Sequence, residues 1–520
     1  VTGPAALLAG ALRDGLERDG IAPPASLRLL RTDPAPDAPT VHDPRGLGTL
    51  HERLAGADER THRGAWYTPA VLAERLVAHA LPDDAAAALG PVVDPACGGG
   101  AFLLAAADRL VTLGWSPGRA AGHLRGRDVD PLAVAVTEAA LWWWSARHGA
   151  PVVPHVDIGD SLLDGDDRGA GAVVGNPPFL NQLRAATSTG GSRRRALRDR
   201  MGEAVRAYTD PAWLFALRAV DDVVPGGRVV LVQPRSFLAA RDAAEVRRRI
   251  DGVARLVDVV VVEDGTFDAS VATCAPVLVR ATDHCGPNDW TGALASAVGV
   301  PPVRLPTSPV LGSIADTHAG FRDEYYGMAG AVVEGGTGPR LATVGAIDPM
   351  RLLGRPQRFS GRRWDDPRVD VDALAGRAAR WASLQATPKV LVATQTRVLE
   401  CVPDPDGALL GSVPAIVVRP RDADDLWRVT AALHAPAASA WALRQHIGTG
   451  RSADTCRPTA ALLASLPLPA DRAAWDVAAV LAERCMRGDA TPLEVAVAAQ
   501  RAYGGDDALL AWWEARRPQR

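Results

Sequence analysis

A short polar and aromatic motif, Asn176-Pro177-Pro178-Phe179, directly follows the apolar run "AGAVVG". Proline has no N–H, so Pro177 offers only a carbonyl oxygen, and Asn176 adds the carbonyl oxygen of its side chain. Two acceptors held close together can bind both hydrogens of one amino group and direct its lone pair at an electrophile. Phe179 offers a flat face for a planar ring, and such stacking contributes roughly 1–3 kcal/mol. The motif predicts a site for a planar amine, although a proline turn without function has the same composition.

A glycine-rich turn follows the first predicted strand, "PVVD", in the segment "DPACGGG". Asp94 ends the strand, and the glycines 98–100 let a ligand approach the backbone closely at the start of the next helix. The turn lacks the G-x-x-x-x-G-K-[ST] spacing of a P-loop, so a nucleoside triphosphate is not predicted here. A tight connection without a ligand is the alternative for this turn taken alone.

Acidic residues also end the next two predicted strands. The second strand carries "GRDVDP", in which either Asp128 or Asp130 could accept hydrogen bonds from ribose hydroxyls, while the other caps the helix that begins at Pro131. The third strand ends in "GDSLL", which places Asp160 at the same edge of the sheet. Three acids suit a ligand with an ammonium, two ribose hydroxyls and an adenine amine. S-adenosylmethionine has these groups and no phosphate, so it is the predicted cofactor.

Strand-like and helix-like segments alternate with short links from residue 91 to about 285. This pattern predicts an α/β fold, with a doubly wound, mostly parallel sheet whose last strand is antiparallel. Beyond this region prolines and glycines multiply, and a mixed α+β domain is predicted. The predicted division of the chain is a helical N-terminal segment at 1–60, the sheet domain at 61–285, the mixed domain at 286–470 and a helical tail at 471–520.

The composition is that of an ordinary globular protein, with 47% hydrophobic and 22% charged residues and a net charge of −3. Neither a signal peptide nor a membrane span is predicted. The six cysteines are scattered without a C-x-x-C pair. This spacing argues against a disulfide framework and a cysteine zinc site, so no metal is predicted and a reducing, cytoplasmic location is favoured.

Over residues 45–280 the sequence resembles the gamma-class adenine-N6 DNA methyltransferases, the family that includes the TaqI enzyme. The matching motifs, in unbroken order, are "LGTLHERL…RGAWYTP", "DPACGGGAF", "GRDVDP", "GDSLL", "NPPF", "PGGRVVLVQP" and "VEDGTFDASVATCAPVLV". The resemblance implies a seven-stranded methyltransferase sheet and S-adenosylmethionine as the methyl donor. The cofactor contacts that it implies are Thr68, Asp94, Ala96, Cys97, Gly98, Gly100, Phe102, Asp128 and Asp160.

Within this resemblance Thr68 touches the methionine part, Asp128 the ribose and Asp160 the adenine amine of the cofactor. The implied catalytic residues are Asn176, Pro177, Pro178 and Phe179. An adenine flipped out of duplex DNA would be stacked between Phe179 and Phe267 and methylated on N6. Ser161 departs from the TaqI enzyme, which has a stacking phenylalanine there, so one face of the cofactor adenine needs another partner.

The arginines that follow the Asn-Pro-Pro-Phe motif are candidate phosphate contacts, with a solvated helix face as the alternative. The region 286–470 resembles the target-recognition domain of the family, which reads the DNA site. The candidate DNA contacts are Arg193, Arg194 and Arg195 in the first group and Lys389, Arg397 and Arg444 in the second, for which structural roles are the alternative.

The implied partners are double-stranded DNA and a separate restriction endonuclease or subunits of a phage-defence system. No D…E-x-K nuclease core is found, so a stand-alone methyltransferase is expected. Methylation of an RNA adenine or of a protein glutamine amide is the alternative, because Asn-Pro-Pro-aromatic sites also serve planar amides. A non-catalytic DNA-reading subunit is the third possibility, and the intact Asn176 and Phe179 argue against it.

Overall fold

The structure of the chain is a computed structural model. It describes residues 3–54, 68–82, 90–164, 167–179, 191–206, 209–263, 266, 272–307, 309–320, 322–447, 455, 457–505 and 507–518. The chain divides into two compact units, Val1–Ala293 and Leu294–Arg520.

The described part of the first unit contains an eight-stranded sheet. Its strands are β1 (Val92–Asp94), β2 (Leu124–Asp128), β3 (His155–Ile158), β4 (Ala170–Gly175), β5 (Val223–Leu231), β6 (Gln233–Pro234), β7 (Ala254–Val261) and β8 (Thr273–Arg280). The strands from β3 to β5 are parallel in the order β3-β2-β1-β4-β5, and β8 pairs antiparallel with both β5 and β7. The two-residue β6 also pairs with β8 and is the one strand beyond the seven that were predicted. The predicted α/β fold is confirmed.

Helices accompany the sheet, and several begin at a proline, as at Pro117, Pro131 and Pro211. They are α1 (Pro4–Arg18), α2 (Pro44–Leu54), α3 (Ala70–Ala80), α4 (Ala101–Thr112), α5 (Pro117–Gly122), α6 (Pro131–Arg147), α7 (Gly191–Met201), α8 (Pro211–Asp222), α9 (Ser236–Ala239), α10 (Ala244–Asp251) and α11 (Trp290–Ala297). The order of strands reverses between β1 and β4, and in such sheets ligands bind at the carboxyl ends of the strands at this point. The sheet therefore brings the ends of β1 and β4, Asp94 and Gly175, to one crevice.

The N-terminal segment shares the core of the sheet. Leu8, Leu12 and Leu47 belong to the same buried cluster as residues of β1, β4 and α6. The backbone N–H of Arg28 donates to a carboxylate oxygen of Glu138 in α6 at 2.9 Å. Residues 3–54 are thus packed as part of the first unit, and the predicted boundaries at 60, 285 and 470 stay predictions.

The second unit is a mixed α+β fold, as the sequence predicted. Its described strands are β9 (Ala315–Ala319), β10 (Val332–Glu334), β11 (Arg340–Ala342), β12 (Ile347–Asp348), β13 (Arg351–Leu352), β14 (Gln357–Phe359), β15 (Arg362–Trp364), β16 (Pro367–Val369), β17 (Lys389–Val392), β18 (Cys401–Asp404), β19 (Leu409–Gly411) and β20 (Ile416–Pro420). One sheet has the order β10-β16-β11-β19 and another the order β18-β17-β20-β9. The remaining helices are α12 (Arg322–Ala329), α13 (Gly376–Leu384), α14 (Leu426–His434), α15 (Pro436–His446), α16 (Ala460–Ala464), α17 (Arg472–Arg487), α18 (Pro492–Ala502) and α19 (Asp507–Arg516).

Strand β17 is buried on both faces. Val390 and Val392 pack in one apolar cluster of the second unit, whereas Leu391 packs in another. Because both faces of the strand are covered, it reads as a continuous apolar run rather than as an alternating one. Among the described helices, none has the length and apolar character needed to cross a bilayer.

Candidate active site

The glycine-rich turn after β1 has the open backbone that the sequence predicted. Gly98 and Gly100 have φ values of 50° and 86°, in the left-handed region that favours glycine. A Cβ placed on Gly98 would meet no atom within 4 Å, so the backbone there borders open space. The N–H of Cys97 donates to the Arg127 carbonyl at 3.0 Å, which ties the turn to β2. The turn is held in place and leaves its Gly98 side accessible to a ligand.

Helix α2 packs directly against this turn, a contact that the sequence did not reveal. A Cβ on Gly99 would lie 2.8 Å from the Cα of Gly48, closer than a real side chain allows. Two glycines therefore let the helix and turn backbones touch. Gly48 lies in the motif "LGTLHERL" and Gly99 in the motif "DPACGGG". Only the folded structure shows that these two motifs meet.

Asp94 is buried at the end of β1, with 1% of its surface exposed. Its Oδ1 accepts a hydrogen bond from the N–H of Ala96 at 3.1 Å. Burial raises the pKa of Asp94 to about 8, because a charged carboxylate is poorly solvated there and the Ala96 hydrogen bond offsets this only in part. A cation bound beside Asp94 would favour its ionised form.

We expect the wild-type protein to lose stability, relative to an Asp94→Asn variant, as the pH rises from about 4 to about 8. The folded state keeps the Asp94 proton up to a pKa of about 8, whereas the unfolded chain releases it near 3.8. Between these values the unfolded state binds fewer protons, so a higher pH favours unfolding. Denaturant unfolding of both proteins without ligand, at about pH 5 and about pH 8, measures the difference. If the difference between the two proteins in free energy of unfolding is the same at both pH values, the prediction is contradicted.

Asp128 and Asp130, between which the sequence did not choose, have different surroundings in the structure. Asp130 is the N-cap of α6, since its Oδ1 accepts from the N–H of Leu132 at 2.9 Å. Asp128 faces the glycine-rich turn, where its Oδ2 accepts from the N–H of Gly98 at 2.9 Å. Burial raises the pKa of Asp128. Asp128 is thus the acid placed beside the predicted cofactor turn, and Asp130 is structural.

Asp160 lies just beyond β3. Its carboxylate accepts hydrogen bonds from its own loop and from helix α7. Its Oδ1 accepts from the N–H of Leu162 at 3.1 Å, and its Oδ2 accepts from Nε of Arg193 at 2.9 Å. Ser161 is buried and donates to the Pro95 carbonyl at 2.6 Å, so it ties this loop to the β1 turn. The structure brings Asp160 to the edge that holds Asp94 and Asp128, and it gives Arg193 a partner other than DNA.

Val129 is an exposed apolar residue at this edge that the sequence analysis missed. It follows Asp128 directly, and 63% of its surface is exposed. A single exposed apolar side chain is common on a protein surface, so Val129 is relevant only through its position directly after Asp128. Val129 can supply the apolar surface for a planar ring that Ser161 does not provide.

The Asn-Pro-Pro-Phe segment begins next to Asp94. A Cβ on Gly175, the last residue of β4, would lie 2.6 Å from Oδ1 of Asp94. The next residue, Asn176, donates from Nδ2 to Oγ1 of the buried Thr68 at 3.2 Å. In this orientation Nδ2 is the donor end of the Asn176 amide and Oδ1 is its acceptor end. The structure therefore brings Thr68, Asp94 and Asn176 together, as the sequence predicted.

The aromatic part of the segment is enclosed. Phe179 has 3% of its surface exposed and belongs to the core cluster of the first unit. A ring that stacks on a base must present one face, so in this structure Phe179 is covered on the face that stacking would use. Phe267, its predicted partner, lies outside the described residues.

Three other predicted cofactor residues, Ala96, Cys97 and Phe102, have structural contacts in and next to the turn. The side chains of Cys97 and Phe102 are buried, and burial raises the pKa of the Cys97 thiol. Ala96 contributes the N–H that Asp94 accepts. Their roles as direct cofactor contacts stay predictions.

The family comparison agrees with this geometry. Residues 49–289 match the family model described as N-6 DNA Methylase. The match includes the β1 turn, all three acids at the strand ends and the Asn-Pro-Pro-Phe segment. It supports the N-6 DNA methylase family for the first unit, and the gamma class and the TaqI likeness stay predictions. Among curated proteins, none matches this chain.

Solved structures of restriction-modification proteins are similar to this chain. The Type IIL restriction-modification enzyme MmeI, solved in complex with DNA, has 11% identity and a TM-score of 0.56, over 99% of this chain and 89% of its own. The modification subunit of a candidate type I restriction enzyme from Vibrio vulnificus YJ016 has 21% identity and a TM-score of 0.36, over 47% of this chain. A type I methyltransferase subunit from Streptococcus thermophilus has 18% identity and a TM-score of 0.33, over 48% of this chain. The chain spans about half the length of these two subunits, 50% and 52%.

The predicted DNA contacts differ in their surroundings. Arg195, on α7, is exposed, and Arg194 beside it is half-buried. In the second unit Arg397 is exposed, whereas Arg444 is half-buried and donates to the Val300 carbonyl at 3.1 Å.

The structure contradicts the predicted DNA contact at Lys389. It is fully buried, and its ammonium group donates to the Gln385 carbonyl and to Oδ2 of Asp404. Burial lowers the pKa of Lys389. A side chain held in the core of the second unit cannot reach a phosphate, so the prediction of a DNA contact at Lys389 is wrong.

Proposed function

We propose that this protein transfers a methyl group from S-adenosylmethionine to the exocyclic N6 of an adenine in duplex DNA. The observation that carries the proposal is the meeting of Asp94, at the end of β1, with the Gly175–Asn176 junction at the end of β4. A cofactor site and a pair of amine acceptors thereby share one crevice. The N-6 DNA methylase match over residues 49–289 supports the same reaction.

The residues at this edge fit S-adenosylmethionine. The open side of Gly98 admits a ligand to the backbone, and the buried Asp94 suits its ammonium group. We assign Asp128 to the ribose hydroxyls and Asp160 to the adenine amine, and the exposed Val129 to an apolar contact with the adenine ring. When bound, S-adenosylmethionine supplies an electrophilic methyl group on a sulfonium sulfur.

The chain itself supplies orientation rather than a strong base. Oδ1 of Asn176 and the Pro177 carbonyl oxygen accept the two hydrogens of the target amine, which reduces its conjugation with the ring. The nitrogen lone pair then points at the methyl group, and the amine loses a proton only after it has become cationic. Thr68 fixes the Asn176 amide through the 3.2 Å hydrogen bond. The rate enhancement comes from positioning and from fixed dipoles.

Phe179 would stack on the flipped base once one face of its ring is uncovered. Phe267 is proposed as the second stacking residue on the resemblance of its segment alone. The second unit is proposed as the target-recognition domain, with Arg397 as a candidate contact because its side chain is exposed. The similarity of fold to MmeI, which was solved with DNA, supports duplex DNA as the substrate. A restriction endonuclease or the subunits of a defence system are the proposed partners.

The test is to identify the methylated molecule and base. Host DNA is sequenced by a long-read method that detects modified bases, from cells with and without the gene. We expect N6-methyladenine at one short sequence, found only when the gene is present. Purified protein is then incubated with labelled S-adenosylmethionine and separate DNA, RNA and protein fractions. Label in RNA adenine or a glutamine amide, with none in DNA, would replace the proposal by its alternative.

A further inference from the structure

The ion pair between Arg193 and Asp160 links helix α7 to the edge of the proposed cofactor site. Nε of Arg193 lies 2.9 Å from Oδ2 of Asp160, and both side chains are partly shielded from water. This contact ties α7, which follows the Asn-Pro-Pro-Phe segment in the chain, to the loop after β3.

Other contacts fix α7 and the loop against each other. Arg200, two turns further along α7, donates to the Leu163 carbonyl of the same loop. Leu197 and Met201 are buried, so α7 is packed on its inner face. From the other side Arg127 donates to the Asp164 carbonyl at 3.0 Å. The loop 160–164 is therefore held between β2 and α7, and Arg193 is one of the groups that hold it.

The carboxylate of Asp160 retains capacity for a ligand in this arrangement. An ionised carboxylate has about four lone-pair sites. One oxygen accepts from the N–H of Leu162 and the other from Arg193. Within the described part of the chain these two bonds fix the rotation of the carboxylate and use two of its acceptor sites, so a further N–H from an adenine amine can be accepted.

We propose that Arg193 is a positioning residue of the cofactor site: it orients Asp160 toward the adenine amine of the cofactor and does not bind DNA. The proposal rests on the proposed function, since it needs S-adenosylmethionine in this crevice. It assigns α7 a role in cofactor affinity that the sequence did not suggest. An arginine that already pairs with a carboxylate is a poorer phosphate contact than the exposed Arg195 two residues later.

The experiment measures cofactor binding without DNA. Wild type, Arg193→Ala and the matched control Arg195→Ala are titrated calorimetrically with S-adenosylhomocysteine and with its inosine counterpart, which lacks the amine. We expect Arg193→Ala to bind S-adenosylhomocysteine roughly tenfold more weakly than wild type, and Arg195→Ala to bind it as wild type does. We expect both variants to bind the inosine counterpart with the same weak affinity as wild type, because this ligand has no amine that could donate a hydrogen bond to Asp160.

The dependence on the amine separates positioning from structural damage. If Arg193→Ala loses affinity equally for both ligands, Arg193 only supports the fold and the proposal fails. If Arg193→Ala binds S-adenosylhomocysteine as tightly as wild type, the proposal also fails. If it binds this ligand more tightly, Arg193 competes with the cofactor for Asp160, and the proposal is overturned. Arg193→Met, which keeps a long side chain but has no N–H donor, serves if the alanine variant does not fold, and the same comparison applies. A wild type that binds neither ligand refutes the proposed function itself.

Discussion

Replacing Asn176 with alanine is expected to lower kcat for methyl transfer by roughly 100- to 1,000-fold. The substitution removes one of the two acceptors that hold the target amine, so the lone pair is no longer directed at the methyl group. Asn176 lies at the end of β4 and not on the glycine-rich turn, so the Kd for S-adenosylmethionine should change by less than about threefold. Single-turnover kinetics with a DNA that contains the methylated site measure the first quantity, and calorimetry the second.

Thr68→Val is the matched control for this prediction. It keeps the size of the buried side chain but removes the acceptor of the 3.2 Å hydrogen bond from Nδ2 of Asn176. The amide then loses one of the contacts that fix its orientation, and we expect a loss of kcat that is smaller than that of Asn176→Ala. Wild-type kcat in the Asn176→Ala variant would show that the motif is a structural turn and would remove the proposed mechanism.

Replacing Lys389 with alanine is expected to destabilise the second unit by about 3–5 kcal/mol. The substitution leaves the Asp404 carboxylate buried without its cation, in a site where Asp404 also accepts from the backbone N–H groups of Ala408 and Leu409 at 3.0 and 2.9 Å. An uncompensated buried charge is costly because the interior solvates it poorly. The free energy of unfolding from denaturant titration, followed by the tryptophans, measures the effect.

Arg397→Ala is the companion variant. Arg397 is exposed, so its removal should leave the free energy of unfolding within about 0.5 kcal/mol of wild type. If Arg397 contacts a phosphate, the DNA affinity of this variant should fall and become less dependent on salt. A Lys389→Ala protein as stable as wild type but weaker in DNA binding would restore the role that the sequence predicted for this lysine.

The strand-end residues could be predicted from the sequence because their positions follow from local pattern. In a parallel sheet the carboxyl ends of the strands meet at one edge. Once the strands ending in Asp94, Asp160 and Asn176 are recognised, their proximity follows without knowledge of side-chain packing. The same reasoning identified the alternative between Asp128 and Asp130, and the cap on α6 then decided it.

The residues that could not be predicted depend on packing between distant segments. Lys389 is the only lysine of the chain, and it was a candidate DNA contact because its region resembles a target-recognition domain. Its burial depends on Asp404, fifteen residues further along, which only the folded sheet brings to it. The pairing of Arg193 with Asp160 spans 33 residues, and nothing in either local motif indicates it.

The contact between Gly48 and Gly99 has a consequence for how the chain responds to a ligand. Two segments that touch through bare backbone cannot move independently, so opening of α2 and distortion of the β1 turn are energetically linked. A molecule that binds and steadies the turn must therefore also slow the opening of α2. Amide hydrogens near Leu47 and Leu50, far along the chain from the turn itself, should then exchange more slowly when the crevice is filled.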